Sequence, residues 1–155
     1  MAVSAIWFRL FKQSDLQTGP DLIANLFMIL FFTWITIRLI HTIMISSRVT
    51  PNVIYGSISG YLLIGFTGAA WAATIEYIVP NSFVFPEQSI PTFQGFIYYS
   101  YITLSTLGYG DVLPVTGPAQ SLSIFLSTVG QMYLTILVAF LVGKYINDNT
   151  LPPSK

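Results

Sequence analysis

The chain lacks cysteine, has a single histidine and carries very few charged side chains. Asp, Glu, Lys and Arg make up 8% of its 155 residues, whereas they account for about 25% of a soluble globular domain. Charges this sparse cannot cover a water-facing surface, and 54% of the residues are apolar. The composition therefore predicts an integral membrane protein. The absence of cysteine also excludes disulfide bonds and thiolate metal sites.

The same shortage of reactive side chains argues against enzymatic chemistry. No cluster of carboxylates is placed for acid–base or metal chemistry. We therefore expect no enzyme activity, no catalytic residues and no organic cofactor. The net charge is zero, which gives no reason to expect a nucleic acid partner. No cleaved secretory signal is recognisable, so the first long apolar segment is expected to act as the insertion signal.

Three long apolar segments are separated by polar breaks. The second, residues 53–79, is rich in small residues, which allow helices to pack closely in lipid. The third begins at Gly117 and runs to about Ile146, long enough to cross a bilayer with some tilt. The first, residues 21–45, reaches the required ~20 apolar residues if Arg38 snorkels toward the headgroups. Whether it spans the membrane or lies on the inner surface stays open, with spanning favoured.

The two ends of the chain are polar or mixed in character. Residues 1–20 open with aromatic and basic side chains, which suit a short helix in the membrane interface. A frayed terminus is the equal alternative. Residues 148–155 are polar and contain two prolines, and they predict a disordered tail.

Residues 93–105 are apolar but too short to cross a bilayer, because a helix rising about 1.5 Å per residue would reach only about 20 Å. Such a stretch predicts a re-entrant helix that is buried by protein. No Lys or Arg occurs from residue 49 to residue 143. By the positive-inside rule the flanking Arg48 and Lys144 are cytoplasmic, and the re-entrant region faces outward.

The run T-L-G-Y-G-D follows this short helix and has the residue types needed to line a cation path. A dehydrated cation needs its lost water oxygens replaced, and a ring of backbone carbonyls can replace them without net charge. Successive carbonyls must then face one axis, which requires φ > 0 at alternate positions, and Gly108 and Gly110 accept this without steric cost. Thr106 adds a hydroxyl oxygen at the inner mouth. Leu107 and Tyr109 contribute carbonyls while their side chains are expected to point into supporting protein.

These features resemble the pore module of the potassium channel family: outer helix, pore helix, T-x-G-Y-G-D filter and inner helix. The resemblance covers residues 53–147, which we interpret as the pore domain, and is most specific at residues 106–111. It implies an all-α fold with one extra N-terminal hydrophobic helix, in a homotetramer where each chain meets three identical subunits. It also implies a plasma-membrane location and a cytoplasmic C-terminus. The filter would conduct K⁺ rather than Na⁺, with ions bound at Thr106, Leu107, Gly108 and Tyr109 and with Gly110 completing the lining.

The resemblance further implies residues that support the filter. Many family members have two tryptophans in the pore helix, where this chain has Tyr98 and Tyr99. We expect their hydroxyls to hold the filter in place, one toward Asp111 and the other toward Tyr109 of a neighbouring chain. Asp111 itself either attracts cations or accepts a hydrogen bond that holds the filter, and the second role is favoured.

Residues of the third apolar segment are candidates for a cavity and a gate. Gly130 occupies a position where family members often have a hinge, and close helix packing is the equal alternative. Gln131 is expected to face a water-filled cavity, sharing a helix face with Leu134 and Val138. The alternative is a hydrogen bond from Gln131 to a neighbouring helix.

Two departures from the family pattern bear on filter rigidity. Leu107 replaces the commoner valine, and Ile102 stands where some bacterial members carry a carboxylate. The alternatives to a potassium channel are therefore a weakly selective cation channel and a non-conducting scaffold or modifier subunit. Among other charged residues, Glu76 is expected to be interfacial and Glu87 to be a solvated loop residue.

Overall fold

The computed structural model describes residues 19–46, 50–86 and 92–150. Within these ranges the chain forms four helices and one small antiparallel sheet, in which Phe83 pairs with Pro114. The all-α architecture expected from the sequence, including the short third helix and the extra N-terminal one, is confirmed. The elements are α1 (Gly19–Ile45), α2 (Pro51–Ile78), β1 (Phe83–Val84), α3 (Phe93–Leu104), β2 (Leu113–Pro114) and α4 (Gly117–Thr150).

Two predictions fall outside the described residues. The predicted interfacial segment, residues 1–20, lies almost wholly within residues 1–18, and Glu87 lies in the second gap.

Helix α1 begins earlier than predicted, because Gly19 and Pro20 form its first turn instead of a break before it. Proline is tolerated in a first turn, where its missing N–H has no helical partner. Helix α2 starts in the same way, with Pro51 as its first residue after Thr50.

Helix α4 ends later than predicted and continues through Thr150, into the segment 148–155 that was expected to be disordered. Nothing in the sequence between Ile146 and Thr150 forbids helical hydrogen bonding. The ring of Pro152 disfavours the helical conformation in the residue before it, which places the helix end close to Thr150.

Helices α1 and α2 pack along their lengths and run antiparallel. Ile29, in the first half of α1, contacts Ala70 toward the end of α2. Leu39 and Ile43, near the end of α1, lie against Gly56 near the start of α2. Along α2 these two contacts are about 21 Å apart at about 1.5 Å per residue. Helix α1 therefore follows α2 along about half of its length.

Two helices among the described residues are long and apolar enough to cross a membrane. They are Pro51–Ile78, which is α2, and Gly117–Phe140, which is the apolar part of α4. The apolar part of α1, Ile29–Ile43, is shorter than both of these helices and is not one of the two.

Helix α3 lies between α2 and α4, and small residues of α2 make room for it. Phe96 and Ser100 are fully buried, and Leu104 is nearly so. The side of α2 that faces them is built from Ala69, Ala72 and other small residues, so the helix backbones approach closely.

Three hydroxyl groups of α3 and α4 donate to backbone carbonyls of α2. Tyr101 Oη donates to the Leu62 carbonyl at 2.6 Å, and Ser100 Oγ donates to the Gly65 carbonyl at 2.7 Å. Tyr133 Oη donates to the Ser57 carbonyl at 2.6 Å. Each hydroxyl reaches the helix over a glycine, where a side chain would block the approach. These contacts fix α3 at one height against α2.

The C-terminal end of α2 is held by Glu76, the residue that was expected to be interfacial. Its Oε1 accepts from the Asn81 amide at 2.8 Å and its Oε2 from the Phe83 amide at 3.0 Å. Asn81 has φ +62°, and the carboxylate stabilises this turn by satisfying the nearby amides. The Val115 amide then donates to the Ser82 carbonyl at 2.9 Å, which connects this turn to the segment following the T-L-G-Y-G-D run.

A methyl group at Gly65 tests the fit of α3 on α2. A Cβ there would lie 2.4 Å from Cε1 of Tyr101, so the ring would have to leave its site. We expect Gly65→Ala to lower the free energy of unfolding by about 1–3 kcal/mol, the usual cost of overpacking. The measurement is thermal unfolding in detergent micelles, followed by tryptophan fluorescence.

Gly56→Ala, on the same helix, is the matched control. A Cβ at that position would have its nearest neighbour, Ile43, at 3.7 Å, which is an ordinary contact. Equal melting temperatures for the two variants would contradict the fit described for α3.

Candidate functional site

Helix α3 starts and ends at defined signals. The Thr92 side chain accepts a hydrogen bond from the Gly95 amide at 3.2 Å, which caps the first turn. The helix ends at Leu104, and the Ser105 amide closes the last turn by donating to the Tyr101 carbonyl at 2.9 Å. The chain leaves this end directly into residues 106–111.

The amides of the next three residues turn back to the end of α3. Thr106 donates to the Thr103 carbonyl at 3.0 Å, and Leu107 and Gly108 both donate to the Ile102 carbonyl, at 2.9 and 3.1 Å. The last carbonyls of a helix have no partner within the helix, and here the loop amides supply one. These three N–H groups of the loop are thereby directed toward α3.

The backbone of the loop alternates in handedness. Thr106, Gly108 and Gly110 have φ of +59°, +50° and +78°, whereas Leu107 and Tyr109 between them are not in the positive-φ region. The two glycines are those predicted, but Thr106 was missed. A β-branched residue with φ > 0 is an outlier and costs about 1–3 kcal/mol. Threonine at this position thus carries strain that a glycine would not.

The carbonyl oxygens of the loop are unpaired. Among the described residues, no hydrogen bond is accepted by the carbonyls of residues 106–110, and all five residues are exposed in the single chain. Leu107 is 55% and Tyr109 is 68% exposed. Their expected packing into supporting protein is therefore not met within one chain.

The Tyr98 hydroxyl donates to Asp111 Oδ2 at 2.5 Å, the pairing expected from the resemblance. The second oxygen, Oδ1, accepts from the Val112 amide at 3.1 Å. The hydrogen bond to the carboxylate stabilises the protonated phenol and raises the pKa of Tyr98 to about 12. Asp111 is thus joined both to α3 and to the chain that follows the loop.

Tyr99 does not take the expected position. Its hydroxyl forms a hydrogen bond with Ser123 Oγ on α4 of the same chain, whereas a contact with Tyr109 of a neighbouring chain was expected. Consecutive helical residues point in directions about 100° apart, so Tyr99 faces away from the side on which Tyr98 lies. Its side chain is 2% exposed, and Ser123 satisfies the buried hydroxyl. Tyr99 therefore connects α3 to α4.

Helix α4 approaches the end of α3 at Gly130. A Cβ there would lie 2.0 Å from the Leu104 carbonyl oxygen, so only glycine fits. The contact supports close packing, the alternative to a hinge at this residue. The helix is continuous through Gly130.

Gln131, next along α4, donates from Nε2 to Thr106 Oγ1 at 3.0 Å. The other two residues predicted for the same cavity face, Leu134 and Val138, line a groove along α4 that is open in the single chain. Gln131 is exposed as well, but its amide is turned toward the loop.

Comparison with known proteins identifies the family of this region. A family model described as "ion channel" matches residues 64–147, which is more than half of the 155 residues. The match starts within α2, ends within α4 and includes α3 and the loop between them. No curated protein and no solved structure matches the chain.

Replacing Tyr98 by phenylalanine tests its bond to Asp111. We expect amide hydrogen exchange at residues 109–112 to become several-fold faster, because one of the two connections of the carboxylate is lost. The measurement is hydrogen–deuterium exchange with mass spectrometry, on protein in detergent or nanodiscs.

Tyr99→Phe is the matched control, because it removes the adjacent hydroxyl, which bonds to Ser123 instead. This variant should change amide hydrogen exchange near residue 123 and leave the exchange rates of residues 109–112 unchanged. Equal acceleration of residues 109–112 in both variants would show that Tyr98 has no specific role there.

Proposed function

The chain belongs to the ion channel family and is a membrane protein, and from that premise we propose that it is a potassium-selective channel. In this proposal, residues 106–110 of four chains surround one axis. Their carbonyl oxygens replace the hydration shell of K⁺, and Thr106 adds its hydroxyl at the inner mouth.

The observation that carries the proposal is the alternating backbone of the loop. Thr106, Gly108 and Gly110 have positive φ, and φ > 0 at alternate positions is the condition that lets successive carbonyls face one side. The amides of Thr106, Leu107 and Gly108 are directed to α3, so the loop offers oxygens and few donors to whatever lies on that side. Such a row suits a cation and repels an anion.

The position of α3 adds to this preference. The C-terminal end of a helix carries a partial negative charge of about half an elementary charge. Helix α3 directs that end to Thr106, where the loop begins. A dehydrated cation near the inner mouth is favoured by this dipole.

Exposed apolar surface supports assembly with three identical subunits. In the single chain, only 11% of the apolar, membrane-crossing stretch of α4 is buried, whereas 50% of the corresponding stretch of α2 is buried. Leu107 and Tyr109 are also exposed. Neighbouring copies around the axis would cover these surfaces, and a ring of carbonyls requires more than one loop.

The packing of α1 bears on topology. Helix α1 runs antiparallel to α2 along about half of its length and so shares a layer of lipid with it, and we propose that α1 also spans the membrane. A C-terminus in the cytoplasm fits the charge distribution, and the plasma membrane is the location that the resemblance to potassium channels implies. This topology puts Arg9 and Lys12 outside, against the positive-inside rule, and the helix packing is the stronger argument.

The weakly selective cation channel is the second candidate, and Ile102 is the observation that favours it. This side chain is 8% exposed and apolar, so it offers Asp111 no hydrogen bond from behind the loop. A filter held by fewer hydrogen bonds is less rigid. The non-conducting scaffold is the third candidate.

A reversal-potential measurement distinguishes the three. Purified protein in a planar bilayer is given a tenfold K⁺ gradient and an opposing tenfold Na⁺ gradient. Potassium selectivity predicts reversal near 59 mV, the value for a tenfold ratio of a monovalent ion, with the sign set by K⁺. Reversal near zero would establish the weakly selective channel, and absence of current would favour the scaffold.

Gly108→Ala should abolish the selective current. A Cβ there meets no atom within 4 Å, so its effect comes from the backbone, which has φ +50°. Alanine in this region costs about 1–2 kcal/mol in each chain, which works against the carbonyl alternation. Gly56→Ala, at a helical glycine with room for a methyl group, is the control and should conduct like the wild type.

A further inference from the structure

Gln131 is a polar residue within the apolar, membrane-crossing part of α4. Polar side chains in such segments are costly and commonly mark a functional position. The partner of this one is on the candidate filter, because Nε2 of Gln131 lies 3.0 Å from Oγ1 of Thr106. No other direct side-chain hydrogen bond between α4 and residues 106–110 occurs in the described part of the chain.

The bond depends on a close approach of two backbones. Gly130 places α4 against the Leu104 carbonyl, where no larger residue fits. Leu104 and Leu126, in the same cluster, are 1% and 2% exposed, so this contact is well packed. Gln131 therefore reaches Thr106 from a fixed position, and a shift of α4 at this level would break or lengthen the bond.

Thr106 is the residue for which such a bond matters most. Its hydroxyl is exposed on the loop, and a hydroxyl hydrogen rotates to suit its neighbours. An amide donor that occupies one lone pair of Oγ1 restricts where the second lone pair and the hydrogen can point. The same bond also holds a residue whose φ of +59° is unfavourable for threonine.

We propose that Gln131 is a positioning residue, which orients the Thr106 hydroxyl and thereby sets the affinity of the innermost cation site. This inference rests on the proposed potassium channel function. It assigns to the inner helix a direct polar connection to the filter. Movement of α4 would then change ion binding at the inner mouth without any change in the width of the groove below.

Block by Ba²⁺ from the cytoplasmic side tests the inference. Ba²⁺ is close to K⁺ in radius and carries twice the charge, so it is a sensitive probe of an oxygen-lined site. Gln131→Leu removes the donor at similar volume and should weaken Ba²⁺ block about two- to tenfold, the effect of one net hydrogen bond. Gln120→Leu makes the same substitution at the outer end of α4, and Ba²⁺ should block this variant as strongly as the wild type.

A double-mutant cycle shows whether the effect passes through Thr106. Thr106→Val removes the hydroxyl and keeps the shape of the side chain. With valine at that position, Gln131→Leu should have no further effect on Ba²⁺ block. If the fold-changes in Ba²⁺ block caused by the two substitutions multiply, the inference is overturned. It is also overturned if Gln131→Leu alone leaves the block unchanged. A role of Gln131 in folding or assembly alone would not produce this coupling.

Two further measurements keep the test decisive. If Thr106→Val carries no current, Thr106→Ser takes its place, and Gln131→Leu must weaken block in this hydroxyl-containing background as it does in the wild type. An unchanged block would overturn the inference. The wild-type reversal potential is measured first, so that loss of the proposed function is distinguished from failure of the Gln131 assignment with K⁺ selectivity intact.

Discussion

The structure depends on how the end of helix α3 binds the amides of the loop that follows it. Three successive amides, of Thr106, Leu107 and Gly108, donate to the last turn of α3. A peptide group whose N–H points to the helix has its carbonyl directed away from it, and alternating handedness gathers these carbonyls on one side. The outward direction of the Thr106 and Leu107 carbonyls is therefore a consequence of satisfying the carbonyls at the helix end.

The other contacts fix the position of α3. Tyr101 and Ser100 bind carbonyls of α2 over its glycines, which sets the height of the short helix. Tyr99 and the contact at Gly130 set its position against α4. Tyr98 then reaches over the loop to Asp111. A chain with almost no charged residues thus positions its loop with phenols, hydroxyls, backbone carbonyls and one carboxylate.

The sequence was informative about the elements and about the residues of the loop. The lengths of the apolar segments predicted the helices. Gly108 and Gly110 indicated positive φ, because glycine alone adopts it freely. Thr106 could not be identified in this way, since the intrinsic preference of threonine opposes the conformation that the surrounding contacts impose. The direction of Tyr99 was also beyond the sequence, because it depends on which face of α3 meets Ser123. Gln131 likewise meets Thr106 only through the packing of α4 against the end of α3. Glu76 meets its two amides only because the chain turns back after α2.

The central claim is that backbone carbonyls of the loop bind the permeant ion. The most direct test is isotope-edited infrared spectroscopy of the assembled protein in lipid, with ¹³C=¹⁸O placed in the carbonyls of Leu107 and Gly108. Exchange of Na⁺ for K⁺ should shift the labelled bands, because these oxygens would coordinate K⁺ directly. Bands that are identical in the two ions, in protein shown to be assembled, would contradict the account.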